Sequence, residues 1–257
     1  MKHLRETRPV WHALLWIAIY VALVNVGGAL GSSLGGPDVA TGILLAGLAV
    51  VLVLYLRQAG LADLSGLRPP RANTMRAVLY LSPLFGISLF QYAKGLAPEL
   101  DAGAVLSALL LVVGVGFVEE LLFRGLLFQA ILTKSALNRA ILITGITFGI
   151  GHVVNLARGY TMSDQLIQVV AAVVIGVALA YVVAITGSII PGAIFHALFN
   201  LSGTITAANT SMDVYILSAM VVVLVPYILF MRIRLAQTDA GAATIGDAGD
   251  TAGTLSA

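Results

Sequence analysis

The sequence predicts an all-α polytopic membrane bundle of about eight transmembrane helices, with both termini in the cytoplasm. Three observations carry that prediction. Of 257 residues, 59% are hydrophobic and 10% are charged, against about 25% charged in soluble domains, which excludes a water-soluble globule. At about 20 apolar residues per span, the apolar stretches supply seven or eight helices. The basic residues fall almost entirely in alternate connections. The chain has no cysteine, so disulfides, thiolate metal sites and cysteine nucleophiles are excluded. A formal net charge of +2 leaves no basic surface for nucleic acid.

In chain order, Lys2, Arg5 and Arg8 precede an apolar run from Trp11 to about Leu30. That run exceeds the 7–15 residues of a signal-peptide core and reads as a retained span. Further spans are expected at 39–56, 77–93, 103–132, 140–157, 165–186, 188–207 and 213–231. Pro191 belongs in the first turn of the seventh, where its missing N–H costs little. Beyond Met231 come Arg232, Arg234 and a run of small and polar residues. A membrane domain at 1–235 followed by a disordered cytoplasmic tail at 236–257 is therefore expected.

Eight spans put Lys2, Arg5, Arg8, Arg57, Arg68, Arg71, Arg76, Lys134, Arg139, Arg232 and Arg234 on one side, and only Lys94 and Arg158 on the other. The positive-inside rule makes the first side cytoplasmic. A multi-pass protein of the cell membrane follows, with the lipid bilayer as its first partner.

An ionisable group at mid-membrane costs at least ~2.5–3.5 kcal/mol and usually faces a functional interior. His12, Glu119, Glu120, Arg124, His152 and His196 are such groups here, joined by Asn25, Asn155 and Asn200. Glu120 and Arg124 are four residues apart on one helix face, with the acid on the favoured N-terminal side. Glu119 points about 100° away, so Arg124 is expected to hold Glu120 and leave Glu119 free. Phe148 and His152 form a second i, i+4 pair, with Gly149 and Gly151 permitting close packing. His196 and Asn200 form a third. His12, beside Trp11, is expected at the membrane interface.

Depth singles out four of these residues. At 1.5 Å per residue, Glu119 lies ~20 Å from Leu132, His152 ~18 Å from Ala140, and His196 and Asn200 ~12 and ~18 Å from Ser188. One layer thus holds a carboxylate, two imidazoles and an amide. A carboxylate beside a histidine can deprotonate water, and a histidine with an amide can donate to an oxyanion. The same set could hold zinc through Glu119, His152 and His196, with one position left for water. The residue types leave both open, with the weight toward direct water activation.

Glu119-Glu120-Leu121-Leu122-Phe123-Arg124 fits E-E-x-x-x-R, Phe148 to His152 fits F-x-x-x-H, and His196 to Asn200 fits H-x-x-x-N. In that order, on successive apolar segments, they resemble the CPBP (Abi) intramembrane proteases. That family includes type II CAAX prenyl endopeptidases and bacteriocin-processing or immunity proteins. The likeness covers about 103–205. It implies that Glu119 and His152 activate the attacking water, that His196 and Asn200 stabilise the oxyanion, and that Glu120, Arg124 and Phe148 support them. The implied partner is a peptide or membrane-associated substrate.

Two rivals remain at this stage. A transporter would relay protons or an ion through the same residues and predicts symmetry between two halves, which the sequence lacks. A non-catalytic scaffold or immunity-type protein would keep the site as a polar core and tolerate Glu119→Gln.

Overall fold

The computed structural model describes residues 1–71, 81–153 and 161–253, with side chains as far as 237. Asn155, Arg158 and Arg76, with parts of the expected spans at 77–93 and 140–157, lie outside the described residues. The regular secondary structure among the described residues is all helical. The chain's one β-type contact there is an isolated antiparallel bridge between Leu96 and Thr206.

The helices are α1 (Lys2–Thr7), α2 (Pro9–Leu30), α3 (Pro37–Gln58), α4 (Ser82–Ser88), α5 (Ala102–Leu132), α6 (Leu137–Gly151), α7 (Met162–Thr186), α8 (Ile190–Thr204) and α9 (Thr210–Gly253). Local chemistry sets several ends. Prolines stand in the first turns of α2, α3, α4 and α8, where no N–H partner is lost. Asp101 accepts from the Ala104 N–H at 2.7 Å and opens α5. Thr161 accepts from the Asp164 N–H at 3.2 Å and opens α7. Gly187, at φ +67°, closes α7 in the left-handed region that glycine enters without steric cost.

Among the described residues, five segments are long and apolar enough to cross a membrane: Pro9–Ser33, Pro37–Gln58, Ala102–Leu132, Met162–Thr186 and Thr210–Gln237. The described parts of the other three expected spans are shorter. α6 and α8 have 15 residues each, roughly 22 Å of helix against a hydrocarbon core of about 30 Å. Around 77–93 the described helix is only Ser82–Ser88, followed by a 3₁₀ turn at Phe90–Lys94. The last helix continues to Gly253, so the segment expected as a disordered tail carries helical backbone through most of its length. Extending an existing helix costs far less than nucleating one.

α5 is the axis of the bundle, packed between α3 and α8, while α6 pairs with α7 and α7 with α9. Small residues permit the closest approaches. A Cβ at Gly116 of α5 would stand 2.9 Å from the Ala197 nitrogen of α8, and one at Gly149 of α6 would stand 2.9 Å from the Val173 nitrogen of α7. Such stripes are the usual means of helix association without a hydrophobic drive. Outward faces are apolar: Val50 is 59% exposed, Leu106 67% and Val222 72%, as lipid contact requires.

The loop after α3 docks on the turn between α7 and α8. Gly66 O accepts from the Ile189 N–H at 3.0 Å. Gly187 O accepts from Arg68 Nε at 3.1 Å, and the Ser188 hydroxyl donates to Arg68 O at 2.5 Å. At the opposite end, Lys94 pairs with Asp213 at 3.0 Å.

Candidate active site

The two adjacent carboxylates end the regular α-helical part of α5, which passes into a π-helical segment at Leu121–Leu127. Wide turns of this kind recur at functional sites, and this one carries Arg124. The guanidinium donates from Nη1 to Glu120 Oε1 at 2.7 Å and from Nη2 to Gly176 O on α7 at 3.1 Å. Its Cζ lies 4.3 Å from the centroid of the Phe148 ring, a cation–π contact. Glu120 and Arg124 are both fully buried. The expected i, i+4 pair is therefore present, and α7 and Phe148 of α6 pin its cation.

Glu119 faces α2 instead. The Tyr20 hydroxyl donates to Glu119 Oε1 at 2.5 Å, so the carboxylate expected to be free is held at one oxygen. The other oxygen, Oε2, makes no hydrogen bond within the described residues and lies 3.5 Å from His196 Nε2. His196 Nδ1 in turn lies 3.4 Å from Glu120 Oε1. A single imidazole thus spans both carboxylates, joining two groups that the helical angle alone separates.

His152 caps the end of α6. Its Nδ1 lies 3.0 Å from Phe148 O. A carbonyl can only accept, so Nδ1 carries the proton in that bond and Nε2 keeps its lone pair. Phe148 meets His152 edge-on at 5.0 Å, His196 at 5.6 Å and Phe123 at 5.1 Å between centroids. With Arg124 over its ring, Phe148 organises α5, α6 and α8 around one point.

A cavity of about 590 Å³ opens above this point, and Glu119, His152, Phe148 and Asn200 all line it. Glu119 is 7% exposed, at the buried end. Tyr20, Asn25, Asp38, Gln91 and Gln168 line it as well. Of the sequence-selected residues, Glu120, Arg124 and His196 stand behind the wall and His12 lies elsewhere. His12 is 2% exposed, with Nε2 3.2 Å from Trp16 Nε1 and 2.9 Å from the Tyr55 hydroxyl. It is a buried bridge between α2 and α3, its Nε2 facing both the Trp16 indole N–H and the Tyr55 hydroxyl.

Tyr20 escaped sequence reading because a single tyrosine in an apolar span has the look of ordinary core. Depth would have found it: eleven residues beyond Pro9 puts it ~16 Å along α2, in the layer of Glu119.

Zinc binding tests poorly against these positions. Among the described residues, no three His, Asp or Glu side chains converge at metal-binding spacing. Glu119 Oε1 is engaged by Tyr20, and both imidazoles abut the apolar Phe148 ring. A site built from Glu119, His152 and His196 does not fit this arrangement, and no catalytic step below runs through a metal.

Compared with known proteins, residues 101–202 match the family model described as Type II CAAX prenyl endopeptidase Rce1-like. No curated protein and no solved structure matches the chain. The matched segment runs from the cap of α5 to α8 and contains all three motifs, while Tyr20 and Asp38 lie outside it.

Proposed function

We propose, from the match of residues 101–202 to the Rce1-like type II CAAX prenyl endopeptidase model, that the chain is an intramembrane endopeptidase. The observation that carries the reading is Glu119. It is a buried carboxylate with one oxygen fixed by Tyr20 and the other unbonded, beside a cavity that His152 and Asn200 also line.

In the proposed reaction, Glu119 and His152 orient a water and take its proton as its oxygen attacks the scissile carbonyl. His152 suits that task because Phe148 O fixes its tautomer and leaves Nε2 basic. Asn200, on the cavity wall, donates to the oxyanion, and His196, one helical turn before it and behind that wall, acts through Glu119 Oε2, 3.5 Å from its Nε2. When the tetrahedral intermediate collapses, the C–N bond breaks and the abstracted proton passes to the leaving amine. Glu120, Arg124 and Phe148 hold the other groups in place. Each oxyanion donor contributes about 3–4 kcal/mol of barrier lowering, and general acid–base transfer contributes about 10²–10⁴-fold.

The proposal includes eight membrane segments with both termini cytoplasmic. The five long helices meet the length requirement, and the basic residues favour that orientation. The substrate is a peptide or membrane-associated protein.

Cleavage of a quenched-fluorescence peptide library by detergent-purified protein tests the reading, with Glu119→Gln and His152→Ala alongside, each with and without a chelator. Loss of cleavage in both variants, and persistence in chelator, is the expected result. A folded Glu119→Gln variant with undiminished cleavage would sink the mechanism. Failure of wild type on every peptide would favour the scaffold.

A further inference from the structure

We propose that Arg68 and Arg71, gathered over Gly187 at the basic end of the bundle, form a binding site for a phosphoryl group, carried by an anionic phospholipid headgroup or by free phosphate. The site lies apart from the cavity and does not depend on whether the chain cleaves peptides.

Backbone geometry builds it. Only Gly187, Ser188 and Ile189 separate α7 from α8, and the loop after α3 is laid across that turn. The Arg71 N–H donates to Thr186 O at 3.1 Å and the Ile189 N–H to Gly66 O at 3.0 Å. The Ser188 hydroxyl donates to Arg68 O at 2.5 Å, and Arg68 Nε to Gly187 O at 3.1 Å. These bonds fix the main chain at both arginines. A Cβ at Gly187 would overlap Arg68 Nη2 and stand 3.0 Å from Arg71 Nε. The absent side chain is thus the space in which the two guanidinium groups meet.

Arg68 supplies the unused donors. Its Nε is spent on Gly187 O, while Nη1 and Nη2 make no hydrogen bond among the described residues. No carboxylate pairs with it there. Asp63, the acid nearest in sequence, is exposed and stays out of any ion pair. Two cations side by side repel, and an anion held by both reverses the sign of that contact. The planar fork of arginine matches phosphate oxygens two at a time. Because one edge of Arg68 is already fixed, little freedom is lost on binding.

Position favours a phosphoryl group. Gly187 directly follows the candidate span Met162–Thr186, and the span of α3 ends nearby in sequence at Gln58, so the pair stands where hydrocarbon gives way to headgroups. The same end carries Arg57, Arg76, Lys134, Arg139, Arg232 and Arg234 besides the N-terminal cations. Its acids are Glu6, which pairs with Arg5, Asp63, and Asp239, Asp247 and Asp250 in the final segment. The excess is cationic and draws an anionic leaflet toward it.

Unfolding temperature is to be followed in phosphate-free maltoside micelles. Phosphatidylglycerol, a diacylglycerol with the same acyl chains, or inorganic phosphate is added at matched ionic strength. A ligand bound only by the native state raises that temperature. Phosphatidylglycerol is expected to stabilise the wild type in a saturable way, and the diacylglycerol to leave it unchanged. Saturable stabilisation by inorganic phosphate as well would make the free anion a ligand of the site; without it, the headgroup is the ligand. Arg68→Gln is expected to raise the half-saturating phosphatidylglycerol concentration roughly tenfold or more, whereas Arg57→Gln, an equal change of charge at the same end, leaves it near the wild-type value. Arg68→Lys, with the charge but not the fork, is expected between the two. Each variant is compared with itself without ligand, so the lost bond to Gly187 O does not enter. Arg71→Gln carries the same comparison should Arg68→Gln fail to fold. Stabilisation by neither phosphatidylglycerol nor phosphate overturns the site. So does equal stabilisation by the diacylglycerol, which would mean acyl-chain solvation, or equal weakening by Arg57→Gln, which would mean diffuse surface charge.

Discussion

Glu119 and Glu120 are chain neighbours placed in opposite kinds of surroundings. Glu120 is fully buried, bonded to Arg124 and sealed behind Phe148 and α7. Glu119 turns the other way, is fixed through one oxygen by Tyr20, and lies on a cavity of about 590 Å³. Burial alone does not separate them, since Glu119 is only 7% exposed. What separates them is the partner: a full cation neutralises Glu120, whereas a hydroxyl merely orients Glu119. Consecutive residues are thus aimed at different helices, Glu120 at Arg124 and Glu119 at Tyr20 and the cavity.

The sharpest way to break this contrast is to remove the cation. Arg124→Met leaves Glu120 buried and uncompensated, a change that costs about 3–5 kcal/mol. Thermal unfolding in detergent is expected to show that loss, with cleavage falling in step because Phe148 loses the group over its face. Arg124→Met paired with Glu120→Gln should recover most of the stability, because no isolated charge then remains. Failure of the pair to recover would mean that the hydrogen bond to Gly176, not the charge pair, holds α5 to α7. Glu119→Gln is the opposite case, with a large effect on cleavage and little on stability.

Tyr20→Phe comes next in size. It deletes one hydrogen bond to a charged acceptor, worth about 1.5–3 kcal/mol, and removes no ring. A fall in kcat of roughly tenfold or more with KM nearly unchanged is expected from steady-state cleavage, since the hydroxyl orients the reacting carboxylate rather than the substrate. A rise in KM alone would make Tyr20 a wall of the cavity and nothing more.

The parts of the site legible in the sequence were those with local spacing. Glu120–Arg124, Phe148–His152 and His196–Asn200 are each i, i+4 pairs, and a helix brings such pairs together whatever surrounds it. Depth then aligned α5, α6 and α8 correctly. Contacts set by tertiary packing were not legible: Tyr20 reaches Glu119 from 99 residues away, and His196 spans two acids that helical angles alone keep apart. The π segment gave no signal either, because Leu121–Leu127 reads as ordinary apolar helix. Likewise apolar length overestimated α8, which runs Ile190–Thr204, since it cannot show where a helix stops inside a hydrophobic run.

The finest test joins the two regions through a residue with no side chain. Gly192 sits one turn before His196, and a Cβ there would stand 3.0 Å from Glu120 Oε2. Gly192→Ala gains up to about 1 kcal/mol in helix propensity and loses about 1–3 kcal/mol to overpacking, a net loss of roughly 0–2 kcal/mol. The carboxylate cannot swing aside freely, because Arg124 holds its other oxygen at 2.7 Å. It must shift by a few tenths of an ångström and push on His196, 3.4 Å away. If Glu120 sets the position of the His196 imidazole, kcat falls several-fold at temperatures where the variant is still fully folded. If kcat and stability both stay at wild-type values, the contact between Glu120 and His196 carries no positioning information, and the two carboxylates work as independent sites.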